Sequence, residues 1–358
     1  IPCYSIGAFD GATSGEAAIV KLRESADGHD FTGTTKTAGY EAEVLANHND
    51  VGAVYGVAWQ PTQKRYYLSA FHKRYVGFGP DGPDAIYQYD LAGTKTGTIN
   101  LDAILTATNS AGTDVHDFTP AGSGDPHPGE VYDLGTGDIS FDGVGKRSFG
   151  DMEMSDDDST LYVINLFDKK IYALDVSSGS TASTTFSQSW DAPDETTAGR
   201  HRPFALAFHQ GKLWVGSVDE NGTNAYVHSL LPNGTIFNLE LTIPLNYSRQ
   251  AFINYASNPV ALSDWNPWVT TSAVSYTGDT LSNPREIGYP QAILSDIEFA
   301  DNGDMILGFR DRFGDQSGAG VYLNPSESVL SFSISAGDIL KACFQSGNFV
   351  LETGGGSC

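Results

Sequence analysis

Asp151-Met152-Glu153-Met154, then a turn at Ser155-Asp156-Asp157-Asp158-Ser159, then Leu161-Tyr162-Val163-Ile164-Asn165-Leu166: this stretch decides the fold. Its first half alternates polar and apolar side chains, the period of a strand with one buried face. The Ser and Asp cluster supplies the chemistry of a tight turn. The same unit recurs three times. Gly56-Val57-Ala58-Trp59 turns into Tyr66-Tyr67-Leu68-Ser69-Ala70-Phe71, and Ala205-Leu206-Ala207-Phe208 into Leu213-Trp214-Val215-Gly216. Asp296-Ile297-Glu298-Phe299 turns through Asp301-Asn302-Gly303-Asp304 into Met305-Ile306-Leu307-Gly308-Phe309. The units begin at residues 56, 151, 205 and 296, spacings of 95, 54 and 91 residues. Those spacings are close to two, one and two lengths of roughly 45–50 residues, the size of a four-stranded propeller blade.

The sequence therefore predicts an all-β chain: a single β-propeller of six or seven four-stranded blades over residues 1–358, its N- and C-terminal segments closing the ring. The units not seen directly are expected near residues 100–145 and 245–290, where Gly, Pro and Asn-rich stretches blur the pattern. Helices are expected only over Gly15–Ser25 and Leu101–Thr106.

Composition narrows the function. The 20 Lys and Arg against 44 Asp and Glu give a net charge of −24, a surface that repels nucleic acid and anionic lipid. No apolar run is long enough to span a membrane, so no membrane insertion is expected. The opening Ile1-Pro2-Cys3 reads as a mature chain whose leader has been removed. Cys3, Cys343 and Cys358 stand near the two ends, the spacing of a disulfide clasp in an oxidising compartment and not of a metal or catalytic site. Three is odd, so one thiol is left over or pairs with a second molecule, and self-association into a filament or layer is one expectation. Sequons at Asn221, Asn233 and Asn246 are expected to mark one exposed, glycosylated edge.

Two constellations carry chemistry. Aligning the units places Asp151 and Glu153, with Asp296 and Glu298, where the other two units have Gly56 and Ala58 or Ala205 and Ala207. Alternation puts each pair on one side of its strand, facing a narrow channel. Four hard-oxygen ligands there point to a bound cation, Ca²⁺ before Zn²⁺. The second constellation is cationic. Segments expected on one face hold eleven of the 20 cations, and His72, Lys73, Arg74, Arg310, Asp311, Arg312 and Asp315 form the expected ligand-binding mouth, its loops ordered by Arg–Asp contacts.

The string Gly308-Phe309-Arg310-Asp311-Arg312-Phe313-Gly314-Asp315-Gln316, with Ala70-Phe71-His72-Lys73-Arg74, Gly77-Phe78-Gly79-Pro80 and Leu161–Asp168, resembles the propeller-like region of large bacterial secreted or surface proteins that carry adhesin-type repeats. The resemblance covers roughly residues 50–320 and implies a propeller at a cell surface, without an activity to carry over. No Gly-x-Ser-x-Gly elbow, phosphate-binding Gly-Lys-Ser/Thr loop, His-Glu-x-x-His or Cys-x-x-Cys is present, so no catalytic residue is assigned. The expected function is an extracellular, non-enzymatic structural or binding module whose partner is a glycan or other cell-surface ligand. The alternative is a metal-dependent propeller hydrolase or lyase acting on a sugar or ester, using the four carboxylates with His72 and His201.

Overall fold

The structure, a computed structural model, describes residues 15–21, 43–116, 139–196, 198–249, 252–255, 258–261, 264–272, 285–321 and 329–352. Four sheets of four antiparallel strands dominate it. Blade I comprises Val54–Gln60, Arg65–Ala70, Ala85–Asp90 and Lys95–Asn100. Blade II comprises Phe149–Met154, Thr160–Asn165, Lys170–Asp175 and Thr185–Asp191. Blade III comprises His201–His209, Lys212–Asp219, Asn224–Leu230 and Asn238–Pro244. Blade IV comprises Ala292–Phe299, Met305–Asp311, Asp338–Gln345 and Asn348–Leu351. In every blade the first strand lies on one edge of its sheet, and the first strands of successive blades pack on one another around a common axis. This is a propeller arrangement.

Among the described residues there are four such blades, not six or seven. The long spacings come from insertions. After blade I the chain makes the helices Leu101–Leu105 and Ile139–Gly143 before entering blade II. After blade III the described residues form a two-stranded pair, Phe252–Tyr255 with Asn258–Ala261, and the strand Arg285–Ile287. The helix expected at Leu101 is present, capped by the Asn100 side chain, which accepts from Ala103 N–H at 2.8 Å. The other expected helix is a strand, Ala17–Lys21, paired with Glu43–Asn47. Ala18 and Ile19 there bury against Val54, Leu68 and Tyr87 of blade I, and tertiary packing overrides a weak helical preference.

Three junctions are sealed by apolar cores. Ala58, Tyr67 and Ile86 meet Met152, Leu161 and Leu174 between blades I and II. Tyr162, Ile164 and Trp190 meet Phe204, Leu213 and Val215 between blades II and III. Ala205, Trp214 and Val227 meet Leu294, Leu307 and Phe309 between blades III and IV. Between blades IV and I the contact is different. The N-terminal strand pair covers the open face of blade I, while on blade IV Ile339 is 72% exposed. This junction is a seam, and it positions the candidate site.

Candidate functional site

Each innermost strand carries one extra residue at the same level: the register slips between Val54 and Val57, Phe149 and Met152, Pro203 and Ala205, and Leu294 and Asp296. Such bulges re-aim the side chains beside them. At this level Tyr55 and Phe204 meet edge to face, ring centres 4.9 Å apart, with Phe71 behind them at 5.6 and 6.0 Å. The rings fill the axis. Gly150 belongs to the same level, and a Cβ there would lie 2.9 Å from the Phe204 carbonyl oxygen, so the close approach needs glycine. Tyr55 O–H donates to the Ser295 carbonyl at 3.2 Å, bridging the seam, and the Arg310 guanidinium lies 4.6 Å over the Tyr55 ring.

Beyond the plug, Asp151 and Glu153 of blade II lie near Asp296 and Glu298 of blade IV, and Glu153, Asp296 and Glu298 line one recess together with Ala207. Asp151 accepts from Met152 N–H at 2.9 Å and Leu206 N–H at 3.1 Å. None of the four carboxylates forms an ion pair with a described residue. Burial pushes Glu153 up to about 8, and repulsion from Glu298 and Asp296 adds to it. Burial raises Asp151 well above the carboxylate range, with Asp296 and Glu153 as like-charged neighbours. Asp296 and Glu298 are raised for the same first reason. Near neutral pH the group is therefore partly protonated and can donate as well as accept hydrogen bonds. Among the described residues no three His, Cys, Asp or Glu side chains converge as a group able to hold a metal ion, so the geometry lends the expected Ca²⁺ site no support.

A cleft follows the seam. Its central part, about 480 Å³, is lined by Tyr55, Ser295, Asp296, Arg310, Asp338 and Ile339. Toward the insertion-bearing end it continues into a space of about 340 Å³ lined by Lys73, Arg310, Asp315 and Ser335. At the other end Asp296 also lines a smaller recess with Glu153, Glu298, His209 and Phe299, the last two stacked at 4.2 Å.

The residues expected to form a mouth lie on one end of the propeller, and of them Lys73, Arg310, Asp311 and Asp315 line the cleft. Lys73 Nζ lies 2.7 Å from Asp315 Oδ1, and Arg310 donates to both Asp315 oxygens at 2.9 and 2.7 Å. His72, Arg74 and Arg312 are buried beneath the loops, and Asp311 is nearly so. Arg312 is fully enclosed: it donates to the carbonyls of Val144, Val269 and Asp142 and to Gln291 Oε1, at 2.8–2.9 Å, with Trp268 4.3 Å away. Arg74 donates to the Gln316 carbonyl at 3.1 Å. Asp311 accepts from the backbone N–H of Gln291, Phe313 and Ala336, and burial pushes it up to about 7. His72 is held neutral by burial, hydrogen-bonded through Nε2 to the Ser140 carbonyl at 2.9 Å and stacked on His116. These side chains tie insertions together; the insertions that cover them could not be placed from sequence. His201 pairs with Asp194 at 3.2 Å and does not line the cleft, so it and His72 are not placed to act with the channel carboxylates.

Tyr55, His209 and Asp338 are cleft residues that sequence reasoning missed. Tyr55 was detectable in principle, as the residue before Gly56 in the repeat. Cys343 is disulfide-bonded, and Cys3 and Cys358 lie outside the described residues. The three sequons are exposed on blade III, but not on one edge: Asn221 and Asn246 stand at one end of the blade, Asn233 in the hairpin at the other. No described helix is long and apolar enough to cross a membrane.

No protein-family model matches the chain. In sequence it is similar to three Dictyostelium discoideum proteins: Colossin-A, 29% identical over 99% of this chain and 3% of that protein; Colossin-C, 26% over 99% and 31%; and Colossin-D, 25% over 99% and 33%. The chain thus spans a third or less of each relative's length, and these relatives are not the bacterial surface proteins expected from its motifs. Among solved structures, a Lactobacillus plantarum protein shares 10% identity at a TM-score of 0.39, covering 88% of this chain and 62% of that one. A chain of the nidogen/laminin complex shares 11% at 0.36, covering 82% and 88%.

Proposed function

We propose that the chain is a non-catalytic propeller module of an extracellular protein, and that its seam cleft binds a hydroxyl-rich ligand, a surface glycan. One observation carries the reading: three carboxylates, Glu153, Asp296 and Glu298, with no cationic partner among the described residues, line a cleft that also presents Arg310, Tyr55 and Asp338. Partly protonated carboxyls beside a planar guanidinium offer paired donors and acceptors, the groups that vicinal hydroxyls need. Concave sites with a few convergent polar groups are the usual place for such ligands. A compact cation is served less well, because the carboxylates are spread along the channel instead of gathered around one point. The disulfide at Cys343 and the −24 charge support an extracellular setting. Similarity to a small part of much longer proteins supports a module within a larger chain.

Glycan-array screening followed by calorimetry tests this. Asp296→Ala with Glu298→Ala should weaken the best glycan by about tenfold or more, since each lost hydrogen bond to a charged group contributes roughly 1.5–3 kcal/mol. Absence of any glycan ligand, or one bound equally by the double variant, overturns the proposal. A melting temperature raised by calcium in the parent but not in the double variant would replace it with a metal site.

A further inference from the structure

Where blades II and III meet at the insertion-bearing end, cations gather in a chain whose net charge is −24. Trp268 is the hub, with the guanidinium of Arg312 4.3 Å from its ring centre and that of Arg202 at 5.8 Å. Gly145, next in sequence to Lys146, abuts the same ring, since a Cβ there would lie 2.9 Å from it. Lys146 and Arg312 share one carboxylate, Asp142 Oδ1, at 2.6 and 3.6 Å. Arg202 spends both Nε and NH2 on one oxygen of Glu220, at 2.8 and 2.6 Å, and its NH1 makes no hydrogen bond to a described residue. Lys169 donates to the Gly199 carbonyl and forms no ion pair among the described residues. It also stands at φ +60°, where a glycine would be less strained, so the hairpin presents a lysine at a backbone cost. Four cations, Arg202, Arg312, Lys146 and Lys169, thus share three carboxylates, Asp142 and Glu220 in ion pairs and Asp194 near Lys169. Burial lowers the proton affinity of Lys146 and Lys169, and each is lowered further by Arg202 and other cations nearby.

We propose that this corner binds a tetrahedral oxyanion, a phosphate or sulfate group, between Lys169, Lys146 and the free side of Arg202. Such an anion offsets the local excess of positive charge and takes the donors that Glu220 and Asp142 leave unused. The site lies at the blade II–III junction and does not depend on what the seam cleft binds.

Calorimetric titration of the full chain with inorganic phosphate, at constant ionic strength set with chloride, tests the inference. Saturable one-site binding is expected. Lys169→Gln and Arg202→Gln should each weaken it about tenfold, the effect of losing a charge-assisted hydrogen bond, while Asp296→Ala binds phosphate as the parent does. Should Arg202→Gln fail to fold, Lys169→Gln, on a half-buried hairpin at the rim, decides alone. A sulfated oligosaccharide and vesicles carrying phosphoinositide then distinguish the two sources of the group. Heat that never saturates, or Lys169→Gln binding phosphate like the parent, overturns the site.

Discussion

Between blades III and IV, Leu294, Leu307 and Phe309 bury against Ala205, Trp214 and Val227. Across the seam from blade IV to blade I the contacts are instead Tyr55 O–H to the Ser295 carbonyl, Arg310 over the Tyr55 ring and Lys73 to Asp315, while Ile339 stands open. The first junction gains stability from area removed from water. The second leaves polar groups accessible, and the channel carboxylates of blades II and IV are reached through it. Dry packing at three junctions allows the fourth to hold charges that would be costly in a core.

The largest expected effect lies where insertions cross the end of the propeller. Arg312→Ala takes the side-chain donor from the buried carbonyls of Val144 and Asp142, while Val269 O keeps Gln316 Nε2 and Gln291 Oε1 keeps Val269 N–H, and should cost about 3–5 kcal/mol in urea unfolding, comparable to breaking a buried charge network. A cost below about 1 kcal/mol, typical of a surface position, would show that the network does not tie the insertions together.

Next in size is a matched pair of truncations. Leu294→Ala, in the sealed junction, should cost about 2–5 kcal/mol, the range for a buried leucine. Ile339→Ala, in the seam, should stay within about 0.5 kcal/mol, as exposed positions do. Equal costs would mean that the seam is packed like the other junctions.

Intermediate between these is the pH response. Glu153 is raised to about 8 in the folded chain from an ordinary 4.5, so between those values the folded form keeps a proton that the unfolded form has lost. Stability from this group is full at pH below 4.5, falls as pH rises, and is gone above about 8. Glu153→Gln should flatten that slope and raise stability at pH 9 by on the order of 2 kcal/mol, discounted because Glu298 and Asp296 titrate with it. An unchanged slope would separate Glu153 from the pH response.

The carboxylate pairs were legible because alternation and repeat position are local: Asp151, Glu153, Asp296 and Glu298 each follow from a strand and its matched unit. The plug was not, because a one-residue bulge leaves the alternation after it intact, so Tyr55 and Phe204 carry no mark in the pattern. Blade number was misread because an insertion and a blade occupy similar lengths of chain. Arg310 and Arg312 look alike two residues apart, yet one reaches the cleft and the other is sealed by Val144 and Val269, residues 168 and 43 positions away. Sequence spacing cannot show which loops will close over a side chain.

The central claim is that acids from blades II and IV meet in the channel without cationic partners among the described residues. Carbon-detected NMR titration of the Glu153 side-chain carboxyl, assigned by its loss in Glu153→Gln, tests it most directly. The account predicts a midpoint near 8, moving down in Glu298→Gln; a midpoint near 4.5 that ignores Glu298 would contradict it.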